Sequence, residues 1–279
     1  MYKMLICSLQ LTAVGRLRVI AIRCLRITAA CCLLLAASRA AAQPARYTMA
    51  NTHSHNDYEQ EKPFRMAYDE GFGSIEADIF LEDGQLLVGH DTVEIRSGRT
   101  LEQYYILPLL SALQKHDGHP YADTSRSLQM LIDVKTDSIA TLDRLIAVLE
   151  KYPTLIRNRA VRWVITGNRP DPASWPAYPA FIGFDGVLSR VYGPQALGRI
   201  VMMSDNFRSY SHWNGNGDIP EPEHTRLAEA IAGSHRLGKP VRFWNAPDFI
   251  NAWDRLMRLR VDYINTDHIR ALGDYLKGL

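Results

Sequence analysis

A single α/β barrel of eight parallel strands is the fold this sequence predicts, and three observations carry the prediction. Residues 43–279 have about the length of one such barrel. Short apolar runs alternate with helix-period patterns, the signature of repeated βα units and a parallel sheet. No Pro/Ser/Gly-rich linker, internal repeat or low-complexity segment divides the chain. Together these define a TIM-type (β/α)8 domain over 43–279.

The expected strands are Tyr47–Asn51, Ser74–Phe80, Leu128–Val134, Val161–Thr166, Phe181–Leu188, Arg199–Ser204, Pro240–Phe243 and Asp262–Asn265. Helical patterns cover Pro63–Glu70, Leu107–Lys115, Ser138–Lys151, Glu223–Leu237, Asp248–Leu259 and Ile269–Lys277. Pro63 and Gly71 bracket the first helix with the usual asymmetry of proline at the start and glycine past the end. Asp83-Gly84 reads as a tight turn joining Ile79–Leu81 to Gln85–Val88, a hairpin added to the barrel repeat. Asn206–Glu223 has no periodicity, and so long a loop in a compact domain is often functional.

Residues 1–42 differ from the rest. They hold Lys3, Arg16, Arg18, Arg23, Arg26 and Arg39 and no acid, then an apolar run from Ile27 to Ala37 and small residues to Ala42. This is the pattern of a secretory signal peptide cleaved near Ala42-Gln43, and it implies a secreted or periplasmic protein. A lipoprotein anchor through Cys31 is the weaker reading, because Thr28 stands where a branched apolar residue is expected. The apolar run is shorter than the roughly 20 residues a membrane span needs, so no stable span is expected. All four cysteines lie in this leader, which excludes disulfides, Cys-zinc sites and thiol nucleophiles from the remainder. Without the leader, 26 Lys and Arg face 30 Asp and Glu, a net charge of −4, and no polybasic run points to nucleic acid.

The chemistry is concentrated in His53-Ser-His55-Asn56-Asp-Tyr58, Ser74-Ile-Glu76-Ala-Asp78-Ile79 and Leu87-Val-Gly-His90-Asp91. Period two puts Glu76 and Asp78 on one strand face, with Ile75, Ala77 and Ile79 on the other. Two inward carboxylates repel unless a cation sits between them, and a hard ion such as Mg²⁺ or Ca²⁺ takes such oxygen ligands. The alternative is a salt-bridged pair on an edge strand. Asp133 and Lys135 repeat the pattern, offering a third ligand and an ammonium suited to a phosphate oxygen, or else an ion pair at a strand end. His55 and His90 follow expected strands and flank the acids, as a general base and general acid would. Asn56 offers an uncharged oxygen ligand. Arg242 and Trp244 alternate with Val241 and Phe243, so both can face the barrel mouth, with Arg242 as a phosphate clamp; the alternatives are a surface cation and a core tryptophan. Asp205 and Trp213 are further candidates. The remaining histidines, His116, His119, His212, His224, His235 and His268, read as surface residues.

The order and spacing of these motifs resemble the phosphatidylinositol-phospholipase-C-like phosphodiesterases, which include glycerophosphodiester phosphodiesterases. The His-Asn-Asp-Tyr start is similar to a bacterial and fungal branch typified by altered-inheritance-of-mitochondria phosphodiesterase-like proteins. Arg242-Phe-Trp244-Asn-Ala-Pro and Val261-Asp-Tyr-Ile-Asn-Thr-Asp267 extend the likeness to the last strands. The resemblance implies His55 and His90 as the catalytic pair and Glu76, Asp78 and Asp133, with Asn56, around one divalent cation. It implies Lys135 on phosphate and Trp244 as a substrate wall; read from the residues themselves, Arg242 is a candidate phosphate clamp and His53 a supporting residue on the substrate side. The usual His-Arg-Gly start and Pro-Glu-Asn segment are absent, and His-Asn is closer to the phosphoinositide phospholipase start, where the Asn binds metal.

The function expected is metal-assisted cleavage of a small-molecule or lipid phosphodiester by a monomeric protein. A His53-x-His55 pair after a first strand also opens binuclear metal amidohydrolase barrels, but those need further histidines, which the later expected strands lack. A barrel kept only for binding is the third reading; against it, the acid pair, both histidines and Asp133-x-Lys135 are all present.

Overall fold

The computed structural model describes residues 46–95 and 98–279. The expected signal peptide and Cys31 lie outside them. Nine strands form one sheet: β1 (Thr52–Ser54), β2 (Ser74–Glu82), β3 (Gln85–Val88), β4 (Leu128–Val134), β5 (Val161–Gly167), β6 (Ile182–Val187), β7 (Ile200–Asn206), β8 (Val241–Trp244) and β9 (Ile264–Thr266). The order β8-β7-β6-β5-β4-β2-β1-β9 is parallel throughout, and β3 pairs antiparallel with β2 outside that path. A bridge between Arg242 and Tyr263 nearly closes the ring, with the Asp262 and Tyr263 amides donating to the Val241 carbonyl. This is the expected eight-stranded parallel barrel. The β2–β3 turn has Asp83 and Gly84 at φ 47° and 73°, the left-handed pair a two-residue hairpin needs.

The first strand begins later than expected. Tyr47–Asn51 does not pair as a strand, because Thr48 and Asn51 cap each other: Ala50 N donates to Thr48 Oγ1 and Thr48 N to Asn51 Oδ1, closing a 3-10 turn over Met49–Asn51. The last strand also starts late. Asp262 instead accepts from the Val241 amide at 2.8 Å and lies 2.7 Å from His235 Nε2, fixing the barrel seam. His235 is therefore buried, not a surface residue; it sits on the inward face of its helix with Leu227 and Ile231.

The main helices are α1 (Arg65–Glu70), α2 (Leu107–Lys115), α3 (Ser138–Leu149), α4 (Glu221–Arg236), α5 (Ile250–Arg258) and α6 (Ile269–Lys277). α1 starts after Phe64, whose φ of 62° is non-helical and whose amide donates to buried Asp57; Gly71, at φ 86°, ends it. Asp137 caps α3 through the Ile139 and Ala140 amides, and Leu142, Leu145 and Leu149 bury its inner stripe. Outward residues such as Ile75, Ala77, Ile79, Met130 and Ile132 join the large core between strands and helices. Inside the barrel, Leu131, Val164, Met202 and Tyr263 form a separate small cluster. Among the described residues no helix is long and apolar enough to cross a membrane.

Candidate active site

The C-terminal ends of the strands surround a cavity of about 380 Å³, lined among others by His55, Asn56, Glu76, Asp78, His90 and Asp133. Lys135, Arg242, Trp244 and Asp205 line it too. Of the residues singled out in the sequence, His53 lies fully buried outside that lining, and Trp213 is elsewhere, buried in the outer core with its indole N–H donating to the Asn216 carbonyl. Trp213 is thus a core tryptophan.

The parallel register sets Asp78 beside Asp133, so the acids of two strands meet. Ligand oxygens of Glu76, Asp78 and Asp133 all fall within 4.8 Å of one another. Asp78 Oδ1 and Asp133 Oδ1 are buried and accept no hydrogen bond. A buried carboxylate oxygen without a partner is costly, and three hard oxygen donors so close together suit a divalent cation. Gly167 is part of this geometry: its φ of 69° favours glycine, and a Cβ there would collide with Asp133 Oδ1.

The carboxylates differ electrostatically. Burial would raise the Glu76 pKa, but the Arg242 guanidinium and the His53 hydrogen bond outweigh it and hold Glu76 below the ordinary carboxylate range. His53 Nε2 and Arg242 Nη1 both lie 2.7 Å from Glu76 Oε2. Burial, then the charges of Glu76 and Asp133, push Asp78 up to about 7 despite Lys135. Asp133 is raised by burial and by Glu76. Lys135 Nζ lies 2.9 Å from both Asp78 Oδ2 and Asp133 Oδ2; burial would lower its pKa, but the two carboxylates raise it. One ammonium does not match the acids it faces.

The histidines take separate positions. His55 Nδ1 lies 2.8 Å from Asp267 Oδ1. Burial opposes protonation of His55, but the Asp267 hydrogen bond and the charges of Glu76 and Asp267 prevail and raise its pKa. With its proton on Nδ1, His55 keeps Nε2 as an acceptor. His90 is exposed, and its Nδ1 lies 3.0 Å from the Tyr58 hydroxyl. That phenol also reaches Asn56 Oδ1 at 2.7 Å and Asp78 Oδ2 at 2.8 Å, tying His90 to the acids. Asn56 is left-handed, at φ 45°, a conformation asparagine tolerates. His53 is fully buried between Ser74 Oγ and Glu76, and burial followed by the Arg242 charge lowers its pKa to about 4, so it stays neutral.

Arg242 donates from Nη1 to Glu76 and, at 3.2 Å, to Asn265 Oδ1. Trp244 stays 39% exposed, leaving a ring face at the mouth. Three residues carried no role in the sequence reading. Asp267 lies in the Thr-Asp motif, and Tyr58 in the His-Asn-Asp-Tyr start, so both left a signal. Asp185 left none: it is fully buried, accepts from Thr166 Oγ1 at 3.0 Å and from Ser204 Oγ, and burial raises its pKa.

Residues 45–164 match an AIM6-like phosphodiesterase domain, and 240–269 match the glycerophosphoryl diester phosphodiesterase family. Altered inheritance of mitochondria protein 6 of Eremothecium gossypii is 27% identical, covering 81% of this chain and 69% of that protein. Its homolog in Arthroderma benhamiae is 28% identical over 80% of this chain and 82% of its own. A solved glycerophosphodiester phosphodiesterase from Parabacteroides distasonis shares the fold at a TM-score of 0.51 and 13% identity, covering 82% of this chain and 97% of that one. These likenesses support assignment to the phospholipase-C-like, glycerophosphodiesterase-type phosphodiesterase superfamily. Within it, the similarity runs to the AIM6-like proteins through both barrel halves.

Proposed function

We propose that this protein hydrolyses phosphodiesters with one divalent cation, Mg²⁺ or Ca²⁺, held by Glu76, Asp78 and Asp133, with Asn56 as a further ligand. The observation that carries the reading is the pair of unpartnered buried oxygens, Asp78 Oδ1 and Asp133 Oδ1, beside Glu76. When bound, such a cation neutralises charge on the non-bridging phosphate oxygens and acidifies an attacking hydroxyl.

The chain's own groups supply the rest. His55, with Asp267 holding its Nδ1 proton, takes the proton of the attacking hydroxyl on Nε2. His90, across the acids, returns a proton to the leaving alkoxide. Lys135 contributes positive charge to the phosphate once it turns from the two aspartates. Arg242 and His53 fix Glu76 as an anion, and Trp244 walls the substrate. The attacking hydroxyl belongs to water or to the substrate, the latter giving a cyclic phosphate. The protein acts as an exported monomer, freed of residues 1–42.

The test is hydrolysis of a panel of glycerophosphodiesters, lysophospholipids, inositol lipids and sugar phosphodiesters, with products separated chromatographically. Cleavage that chelator abolishes and Mg²⁺ or Ca²⁺ restores is expected. Chelator-resistant cleavage would contradict the role of the acids, and no cleavage of any member would favour a binding barrel. Two Zn²⁺ or Mn²⁺ per chain would indicate an amidohydrolase-type site instead.

A further inference from the structure

The opposite end of the barrel carries a second concave site. The β5–β6 crossover holds only a 3-10 segment (Pro172–Ala177), and β6–β7 only one helical turn (Pro194–Leu197). The lower ends of β5, β6 and β7 are left open around a cleft of about 750 Å³. Four arginines line it, Arg157, Arg159, Arg162 and Arg199, and no Asp or Glu does. This reverses the sign of residues 43–279, where acids outnumber Lys and Arg.

Two of the guanidiniums are held in place. Arg162 donates from Nη2 to Ser127 Oγ at 2.8 Å, and Arg199 from Nη2 to the carbonyls of Pro179 and Ile182 at 2.7 and 2.6 Å. None of these acceptors is a carboxylate, so both charges stay uncompensated. The side chains of Arg157 and Arg159, exposed at the rim, make no hydrogen bond or ion pair with any described residue. Trp163, 1% exposed, lines the cleft as apolar surface. Half-buried Phe181 adds an apolar wall.

We propose that this cleft binds a phosphate-bearing anion, with the four arginines supplying charge-assisted hydrogen bonds. Phosphate suits a set of planar, multi-donor guanidiniums better than a single carboxylate would. The source is either a soluble organophosphate or a lipid head group, and the same arginines would serve both.

The test titrates sodium pyrophosphate into the protein freed of its leader, at low salt and with chelator present so that no metal draws the probe to the mouth. The readout is calorimetry. Saturable binding is expected, with affinity falling at least tenfold in the Arg157→Glu/Arg159→Glu double variant. Arg157→Gln/Arg159→Gln should give a smaller loss, and both variants should keep wild-type phosphodiester hydrolysis. No saturable binding, or unchanged affinity in the charge-reversed variant, would overturn the site. Sedimentation with phosphatidylcholine vesicles containing phosphatidic acid separates the sources. Arginine-dependent co-sedimentation assigns a lipid head group; pyrophosphate binding without it assigns a soluble ligand.

Discussion

On four barrel strands the lower inward-facing residue is apolar, and the residue two positions on is polar. The pairs are Leu131 and Asp133, Val164 and Thr166, Met202 and Ser204, Tyr263 and Asn265. The lower set packs into one apolar cluster, joined to the acids only through Met202, whose Sδ accepts from Gln129 in the chain Gln129–Ser74–His53–Glu76; the upper set lines or supports the acid triad. Chemistry and stability are thus sorted by height along the same strands. A substitution at one level should report on one property and spare the other.

The largest expected effect is at the upper level. Glu76→Gln or His55→Ala should lower turnover by about 10³-fold or more, in line with removal of a metal ligand or general base. Thermal unfolding should show both variants folded. Retained turnover in either would break the separation. At the lower level, Leu131→Ala should cost about 2–5 kcal/mol of stability through the cavity it leaves, measured by denaturant unfolding. Turnover per folded molecule should stay within a few-fold of wild type. A large loss of turnover at full folding would show that the two levels are coupled.

A smaller effect separates His55 from its partner. Asp267 raises the His55 pKa, so Asp267→Asn should lower it. A general base works when deprotonated, and the acid limb of the pH–rate profile should therefore move to lower pH, with turnover at the plateau reduced about tenfold or less. A limb that stays in place would remove His55 as the base. The smallest effect concerns Asp185, whose folded pKa is raised by burial above its ordinary 3.8. The folded state then binds more protons than the unfolded one, and this contribution to stability, full below about pH 4, is lost as pH rises through the folded value. Asp185→Asn should flatten that decline and be the more stable protein at alkaline pH. Parallel stability–pH curves for the two would refute the assignment.

The upper level was legible in sequence because period two sorts side chains without knowledge of the fold. Glu76, Asp78, Asp133 and Lys135 all reach the cavity for that reason. The strand ends gave His55 and His90 in the same way. What escaped depends on contacts across the chain. Asp267 meets His55 from 212 residues away, and Arg242 meets Glu76 from 166. Asp185 needed the curvature that brings β6 and β7 together under the cavity. The first and last strands were misplaced at their starts by side-chain capping: Thr48 with Asn51, and Asp262 with the Val241 amide. His235 was misread because a polar neighbourhood in sequence hid its place on the apolar stripe of α4.

The acid triad is most directly tested by titrating Mg²⁺ and Ca²⁺ into metal-free protein by calorimetry, beside Asp133→Asn. One cation per chain is expected, with affinity falling at least tenfold in the variant. No saturable binding, two cations per chain, or an unchanged affinity in Asp133→Asn would contradict a single metal held by Glu76, Asp78 and Asp133.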